Sequence, residues 1–402
     1  MKKLTLAAIG MYLSVLSAFS QNTPDSSYKP RKLKFEEANF VSSYYHQDGD
    51  HASVTGGIGP EKLTDLSNSI DLTISGYDKR YRKHSFVFDL GVDHYTSASS
   101  DMIDPHTISS ASHADTRIYP SLSWTMENEK KGTTFGAGLS YSNEFDYQSR
   151  GVNINFAQKT KDKNGEFSAK LQAYFDQVSL VYPIELRPAN SGGSGEGDHE
   201  NHYASTARNS FSADVAWSQI INQRLQVWVD GGVIYQKGYL SLPFHRVYFN
   251  NASVHVENLP STRLKIPLGL RANYFLGDKF IIRTWYRNYH DDWGINSNAA
   301  QLETSIKINP FFSITPFYRY YQQSAAKYFA PYEDHTATDD FYTSNYDLSK
   351  FNSNFFGAGF RIAPPNGVFN NQHINALELR VGHYKRSDGL NSNIVSLSLK
   401  FK

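Results

Sequence analysis

Cysteine is absent from all 402 residues. That excludes a disulfide scaffold, a thiolate zinc or iron–sulfur centre, covalently attached haem and a lipid-modified N-terminal cysteine. An excess of one charge sign is missing too: 40 Lys+Arg stand against 39 Asp+Glu, a formal net charge of +1. Such a balance gives no electrostatic footprint for nucleic acid, which needs a strongly basic face. Beyond the first twenty residues, no run approaches the ~18 consecutive apolar residues of a membrane helix. Apolar residues make up only 40% of the chain, and mean hydropathy is −0.51. Aromatics are plentiful instead, with 27 Tyr, 26 Phe and 5 Trp. Many aromatics with low hydropathy favour numerous half-apolar strands over helices threading a bilayer.

Residues 1–20 read as a secretory signal peptide. Lys2 and Lys3 form a positive start, Leu4 to Leu16 is almost continuously apolar, and Ala18-Phe19-Ser20 supplies a small-x-small cleavage pattern. The apolar run is too short to anchor the chain. Residues 21–33 are then a short periplasmic segment, and 34–402 one β-domain.

From Phe35 onward the dominant signal has period two. Leu264, Ile266, Leu268, Leu270, Ala272 and Tyr274 alternate with Arg263, Lys265, Pro267, Gly269, Arg271 and Asn273. Phe86, Phe88, Leu90 and Val92 repeat the pattern, as do Phe211, Ala213, Val215 and Trp217. Successive side chains of a strand point to opposite faces, so each segment has one apolar and one polar face. Roughly sixteen such segments occur, many reaching the ~9–11 residues that cross a bilayer as tilted strands. Short polar turns (around Asp78, Gly132, Gly165, Gln223, Asp278 and Pro310) alternate with longer connections, the longest being 49–65, 98–114, 183–206, 243–261 and 326–350. This sorting predicts an all-β, up-and-down antiparallel barrel of about sixteen strands from Phe35 to Phe401, embedded in outer-membrane lipid.

The final segment, Val395, Leu397, Leu399 and Phe401 alternating with Ser396, Ser398 and Lys400, resembles the aromatic-ended strand that bacterial barrel-assembly machinery reads; a soluble β-domain can close on such a strand as well. Tyr44, Tyr45, Trp124, Tyr141, Trp217, Tyr286 and Tyr320 are candidates for interface girdles.

If the apolar member of each pair faces lipid, the other faces the lumen. The lumen-lining candidates are then Asp89, Asp93, Glu144, Asp146, Asp176 and Asp214 in the earlier strands. In the later strands they are Arg263, Arg271, Arg283, Arg287, Arg319, Arg361 and Arg380. One wall would be acidic and the other basic, with Arg117, Lys170, Glu303 and Glu378 as exceptions. Two readings stay open. A transverse field across a wet lumen filters small polar solutes, or the charges pair with one another and with loops folded into the interior.

Loop chemistry is weak. Asp48-Gly-Asp-His51 and the set Asp101, Asp104, His106, His113, Asp115 offer hard and imidazole donors for a divalent cation, without the spacing of a known metal motif. Gly56-Gly57-Ile58-Gly59 lacks the strand–turn–helix context of a phosphate loop, and turn formation accounts for it. Residues 190–202 are of low complexity, with His199 and His202 as weak donors. His94, Ser99, Ser100 and His245 supply hydrolase ingredients without a motif. No cofactor site is indicated.

Several phrases carry a resemblance: Val41-Ser-Ser-Tyr-Tyr45, Val54-Thr-Gly-Gly-Ile-Gly59 with Glu61 to Asp65, Gly91-Val-Asp-His-Tyr95 with Ser97 to Asp101, Ser109 to Ser112 with Asp115-Thr-Arg117, and Ser142-Asn-Glu-Phe-Asp-Tyr147. They cover about the first third of the chain. In them the protein resembles an exported Gram-negative bacterial family of about this length, catalogued as a domain of unknown function and regarded as outer-membrane barrels. Members often lie beside a small lipoprotein and a periplasmic flavin transferase. The resemblance therefore implies a lipoprotein or redox partner; it implies no catalytic residues. Gly56, Gly57 and Gly59 would let the first long loop turn back over the mouth, and Asp101, Asp104, Asp115 and Arg117 would tie the second to the inner wall, forming a constriction. The expected function is a passive outer-membrane channel for small polar solutes; the alternatives are a non-conducting barrel serving a periplasmic or lipoprotein assembly, and, behind both, an outer-membrane hydrolase.

Overall fold

The computed structural model describes residues 32–96, 114–187 and 203–402. Residues 1–31, with the proposed signal peptide, lie outside it, as do 97–113 and 188–202. Sixteen antiparallel strands close into a barrel. In chain order the strands are β1 (Lys34–Asp48), β2 (Leu63–Tyr77), β3 (Lys83–Thr96), β4 (Ala114–Asn128), β5 (Thr133–Asn143), β6 (Tyr147–Lys159), β7 (Gly165–Ser179), β8 (Ser205–Asn222), β9 (Leu225–Gly238), β10 (Arg246–Tyr248), β11 (Val254–Val256), β12 (Thr262–Leu276), β13 (Phe280–Asp291), β14 (Asn296–Asn309), β15 (Phe312–Gln323), β16 (Phe351–Ile362), β17 (Ile374–Arg386) and β18 (Asn391–Phe401). β10 and β11 form a small hairpin of their own inside a loop. The barrel strands are β1–β9 and β12–β18, and the seam runs from Ala38 opposite Phe401 to Asp48 opposite Asn391. Closure leaves no strand edge with unpaired backbone groups, which hydrocarbon would not tolerate.

Burial is inverted relative to a soluble domain. Leu139, Leu171, Val215, Val229, Leu268 and Leu302 are all half exposed or more, each on a strand with its apolar members on one face. A continuous outward apolar belt makes sense only against lipid. Among the described residues no helix is long and apolar enough to cross a membrane.

One end of the barrel carries tight turns, shaped by short polar side chains. Asn222 Oδ1 accepts from the backbone N–H of Arg224 and Leu225, and Asn309 Oδ1 does the same for Phe311 and Phe312. At Gly277, φ is +61°, which a residue without Cβ adopts freely. The turn over 363–373 is longer. Its Val368 packs with Ala38, Ile374 and Phe401 in a small buried cluster that closes the foot of the seam.

Candidate functional site: a charged lumen beneath interlocked loops

Each inward position sits beside an exposed apolar neighbour that fixes its direction. Asp89 follows Phe88, Asp176 follows Phe175, Asp214 precedes Val215, Arg271 follows Leu270, Arg287 follows Tyr286, Arg319 lies between Tyr318 and Tyr320, and Arg380 between Leu379 and Val381. By the same alternation Asp93, Arg117, Arg263, Arg283 and Arg361 face away from the apolar belt. Several ion pairs span non-adjacent strands, two of them deep in the basic wall. Arg380 on β17 reaches Glu303 on β14 at 2.7 Å, and Arg287 on β13 reaches Asp230 on β9 at 3.8 Å. Such contacts form only across the concave inside of a cylinder.

On β2–β9 the inward charge is mostly acidic. Asp93 is buried and accepts from Ser67 Oγ at 2.6 Å, from the Tyr119 hydroxyl at 2.8 Å, and from Arg117 at 2.6 and 3.2 Å. Asp89 accepts from Ser121 Oγ at 2.7 Å and stands directly opposite Asp71, which accepts from Asn39. Asp214 faces Lys170 in the β7–β8 register, and Asp176 accepts from the Tyr147 hydroxyl.

Two expectations need correction. Glu144 and Asp146 are not on the barrel wall: they occupy the three-residue turn between β5 and β6, at the long-loop end. Arg117 engages Asp93 on the neighbouring strand, and the loop it was expected to hold lies outside the described residues. Tyr45 takes the inward register and donates to Gln47 Oε1, so it belongs to no outer girdle; Tyr44, its neighbour, is the exposed one.

Asp101 and Asp104, with His106 and His113, lie outside the described residues. Asp115, at the start of β4, accepts from the backbone N–H of Thr116 and Phe145. It comes within 4.8 Å of Glu144 and Asp146, the latter also buried. The Tyr95 hydroxyl donates to Glu144, and burial holds that carboxyl above its ordinary range.

The β12–β17 wall is mostly basic. Glu303 is shared between Arg283 at 3.0 Å and Arg380 at 2.7 Å. Near the long-loop end Arg263 binds buried Asp291 at 2.5 Å and lies 4.3 Å over the Trp293 ring. Arg361 stands opposite Glu378, near the short-turn end.

Above this lumen the long loops interlock. Gly56 and Gly57 hold φ of +80° and +86°; a Cβ on the first would meet the Tyr248 ring at 2.5 Å, and one on the second the Ser344 carbonyl at 2.7 Å. Gly59 holds φ of +84° in more open space. Only glycine fits the first two, because the chain turns back against its neighbours there. Arg246 of β10 is buried, donates to the Val54 carbonyl at 2.7 Å, and forks onto Glu185 at 2.6 and 3.2 Å. That guanidinium holds the Glu185 carboxyl below its usual range. Glu257 is buried and accepts from Thr343 Oγ1 at 2.5 Å and from the Leu242 N–H at 2.7 Å. Inward side chains at strand tops hold the assembly: Gln323 donates to the carbonyls of Asp347 and Ser349, Arg208 to those of Tyr239 and Ser241, and Arg386 binds Asp347 and Asp388. Sequence does not single out Arg246, Glu257 and Arg386, since each joins a loop partner far along the chain (Val54, Thr343 and Asp347) and no local spacing marks those contacts. Of the hydrolase ingredients, His94 lies on β3 beside Thr116 while His245 lies in the loop cap against Glu257, so the two do not share a site.

These features define a membrane-spanning β-barrel of the outer-membrane type, with oppositely charged inner walls and a cap of interlocked loops. The chain belongs to the family described as protein of unknown function (DUF3570), whose model matches residues 84–391. The matched segment thus extends well beyond the first third of the chain, while phrases before residue 84 fall outside it. No curated protein matches the chain. Similar solved structures include OccAB1 of Acinetobacter baumannii, 10% identical, covering 94% of this chain and 98% of that one with a TM-score of 0.46. Others are OccD3 of Pseudomonas aeruginosa (8%, 94% and 93%, 0.45) and a BenF-like porin of Pseudomonas fluorescens (8%, 93% and 100%, 0.43).

Proposed function

We propose that the protein is a passive channel of the outer membrane for small polar solutes, filtered between an acidic and a basic lumen wall. The observation that carries this reading is the separation of charge in the barrel interior, Asp89, Asp93 and Asp214 on one side and Arg271, Arg283 and Arg319 on the other. Barrels of ~16 strands are too wide for wall side chains to fill and leave an aqueous passage. A transverse field in a confined, wet lumen orients dipolar solutes and discriminates by charge. Refolded protein added to planar bilayers should give discrete conductance steps with ion selectivity.

A second reading has support from the loop cap. Its many buried contacts favour a barrel that does not conduct and instead serves a lipoprotein or redox partner. Absence of conductance, with co-purification of such a partner from membranes, is the result that selects this reading over the channel.

A further inference from the structure

The middle of the basic wall carries an open cavity of ≈ 470 Å³, lined by Arg271, Arg283, Arg287 and Arg319 together with Glu303 and Trp285. Four guanidiniums thus face one carboxylate. Glu303 is already shared by Arg283 and by Arg380 from just outside the cavity. Arg287 meets Asp230 only at 3.8 Å, and its buried Nε has no hydrogen-bond partner. Among the described residues, Arg271 and Arg319 have no ion-pair partner at all. Guanidiniums gathered at this density repel one another unless anions or water hold them.

Aromatic rings fix their orientation. Arg287 lies 5.3 Å over Trp285, Arg271 5.9 Å over Trp228, and Arg319 5.0 Å over Phe355. Stacking occupies the flat face of a guanidinium and leaves its N–H edge for a ligand. That edge matches the two oxygens of a carboxylate or phosphate. The volume falls within the ~300–1,000 Å³ of small-molecule sites.

We propose that this cavity is a binding site for small organic anions carrying two or more negative charges on carboxylate or phosphate groups. Arg271 and Arg319 supply the uncompensated charge, Arg287 a guanidinium held only loosely by Asp230, and Trp285 a flat apolar floor. As a step in transport the inference rests on the channel reading; as a binding site it stands without it.

Calorimetry on the detergent-refolded full chain, with citrate, glucose 6-phosphate and acetate as probes, tests it. Citrate should bind, acetate at least tenfold more weakly. Comparable binding of glucose 6-phosphate assigns the site to oxyanions in general, and citrate alone narrows it to carboxylates. The double variant Arg271→Gln/Arg319→Gln should lose tenfold or more in citrate affinity. Arg271→Lys, which keeps the charge but loses the fork, should lose less, and Arg224→Gln in a distant turn should change nothing. No citrate binding, or binding untouched by the double variant, overturns the proposal whatever the conductance. Citrate binding without conductance upholds the site and sinks only the channel.

Discussion

His51 and Tyr346 lie face to face, ring centroids 3.7 Å apart and planes 6° from parallel. One belongs to the loop after β1 and the other to the loop before β16, and His51 Nδ1 also pairs with the Gly57 carbonyl. The stack joins two loops that the chain itself does not connect. With Arg246, Glu257 and Arg386 it makes the cap one cooperative unit, so that loosening one contact loosens several loops together.

Arg246→Ala should open the cap without unfolding the barrel. The side chain is buried, but its partner Glu185 is half exposed and rehydrates when released. The cost is therefore about 1–3 kcal/mol, below that of breaking a fully buried pair. Proteinase K should cut within 49–62 and 324–350 several-fold faster in the variant, while the heat-modifiable band of the folded barrel persists. Equal cleavage in variant and wild type would show that the loops do not act together.

The same cap should respond to pH through Glu61. Burial raises its carboxyl from 4.5 to about 7; Asp347 and Asp388 add to the rise, and Arg386 and a hydrogen bond from Gln47 oppose it. Because the raised group is an acid, the closed cap favours its neutral form. The contribution to closure is complete below about pH 4.5 and is lost as pH rises through about 7. Protection of residues 49–62, the hydrogen-exchange rate divided into the intrinsic chemical rate at each pH, should fall from pH 5 to 8, and Glu61→Gln should flatten that profile. A flat wild-type profile would remove Glu61 from any role in closure.

Much of the barrel was legible because the bilayer enforces a rule on every second residue. Lys265 beside Ile266, or Arg319 between Tyr318 and Tyr320, announces its face without reference to any distant residue. The mouth was not legible, for the opposite reason. Arg246 reaches Val54, and Thr343 reaches Glu257, across separations that no local pattern encodes. Glu144 and Asp146 misled because alternation carries straight through a three-residue turn, so a mouth residue keeps the parity of a wall residue. Glycines 56 and 57 were readable as a reversal, but not as a close approach to Tyr248 and Ser344, which come from other loops.

Adjacent residues of β7 offer a direct test of the lipid-facing assignment. Leu171 is half exposed on the outer face, and Gln172 points inward, donating to the Tyr174 hydroxyl at 2.5 Å. Leu171→Arg places a charge in hydrocarbon and should cost ~2–4 kcal/mol, read as a lower urea midpoint for folding into vesicles. Gln172→Arg meets water and should stay within ~0.5 kcal/mol of wild type. Reversed costs would mean that the apolar belt does not face lipid.

Asp93 tests whether the acidic wall is held by its own network. Ser67, Tyr119 and Arg117 all donate to it, and its side chain is only 7% exposed, whereas that of Arg117 is 44% exposed. In Asp93→Ala the two hydroxyls lose their acceptor inside the wall, but Arg117 can turn to water. The loss is then about 1–3 kcal/mol in the urea midpoint, governed by the hydroxyls and not by the ion pair. A double-mutant cycle with Arg117→Gln separates the two contributions. A coupling energy below ~1 kcal/mol is expected, since the pair is half solvated. A coupling of several kcal/mol would mean that the ion pair dominates, and that the lumen around it excludes water far more than an open aqueous passage allows.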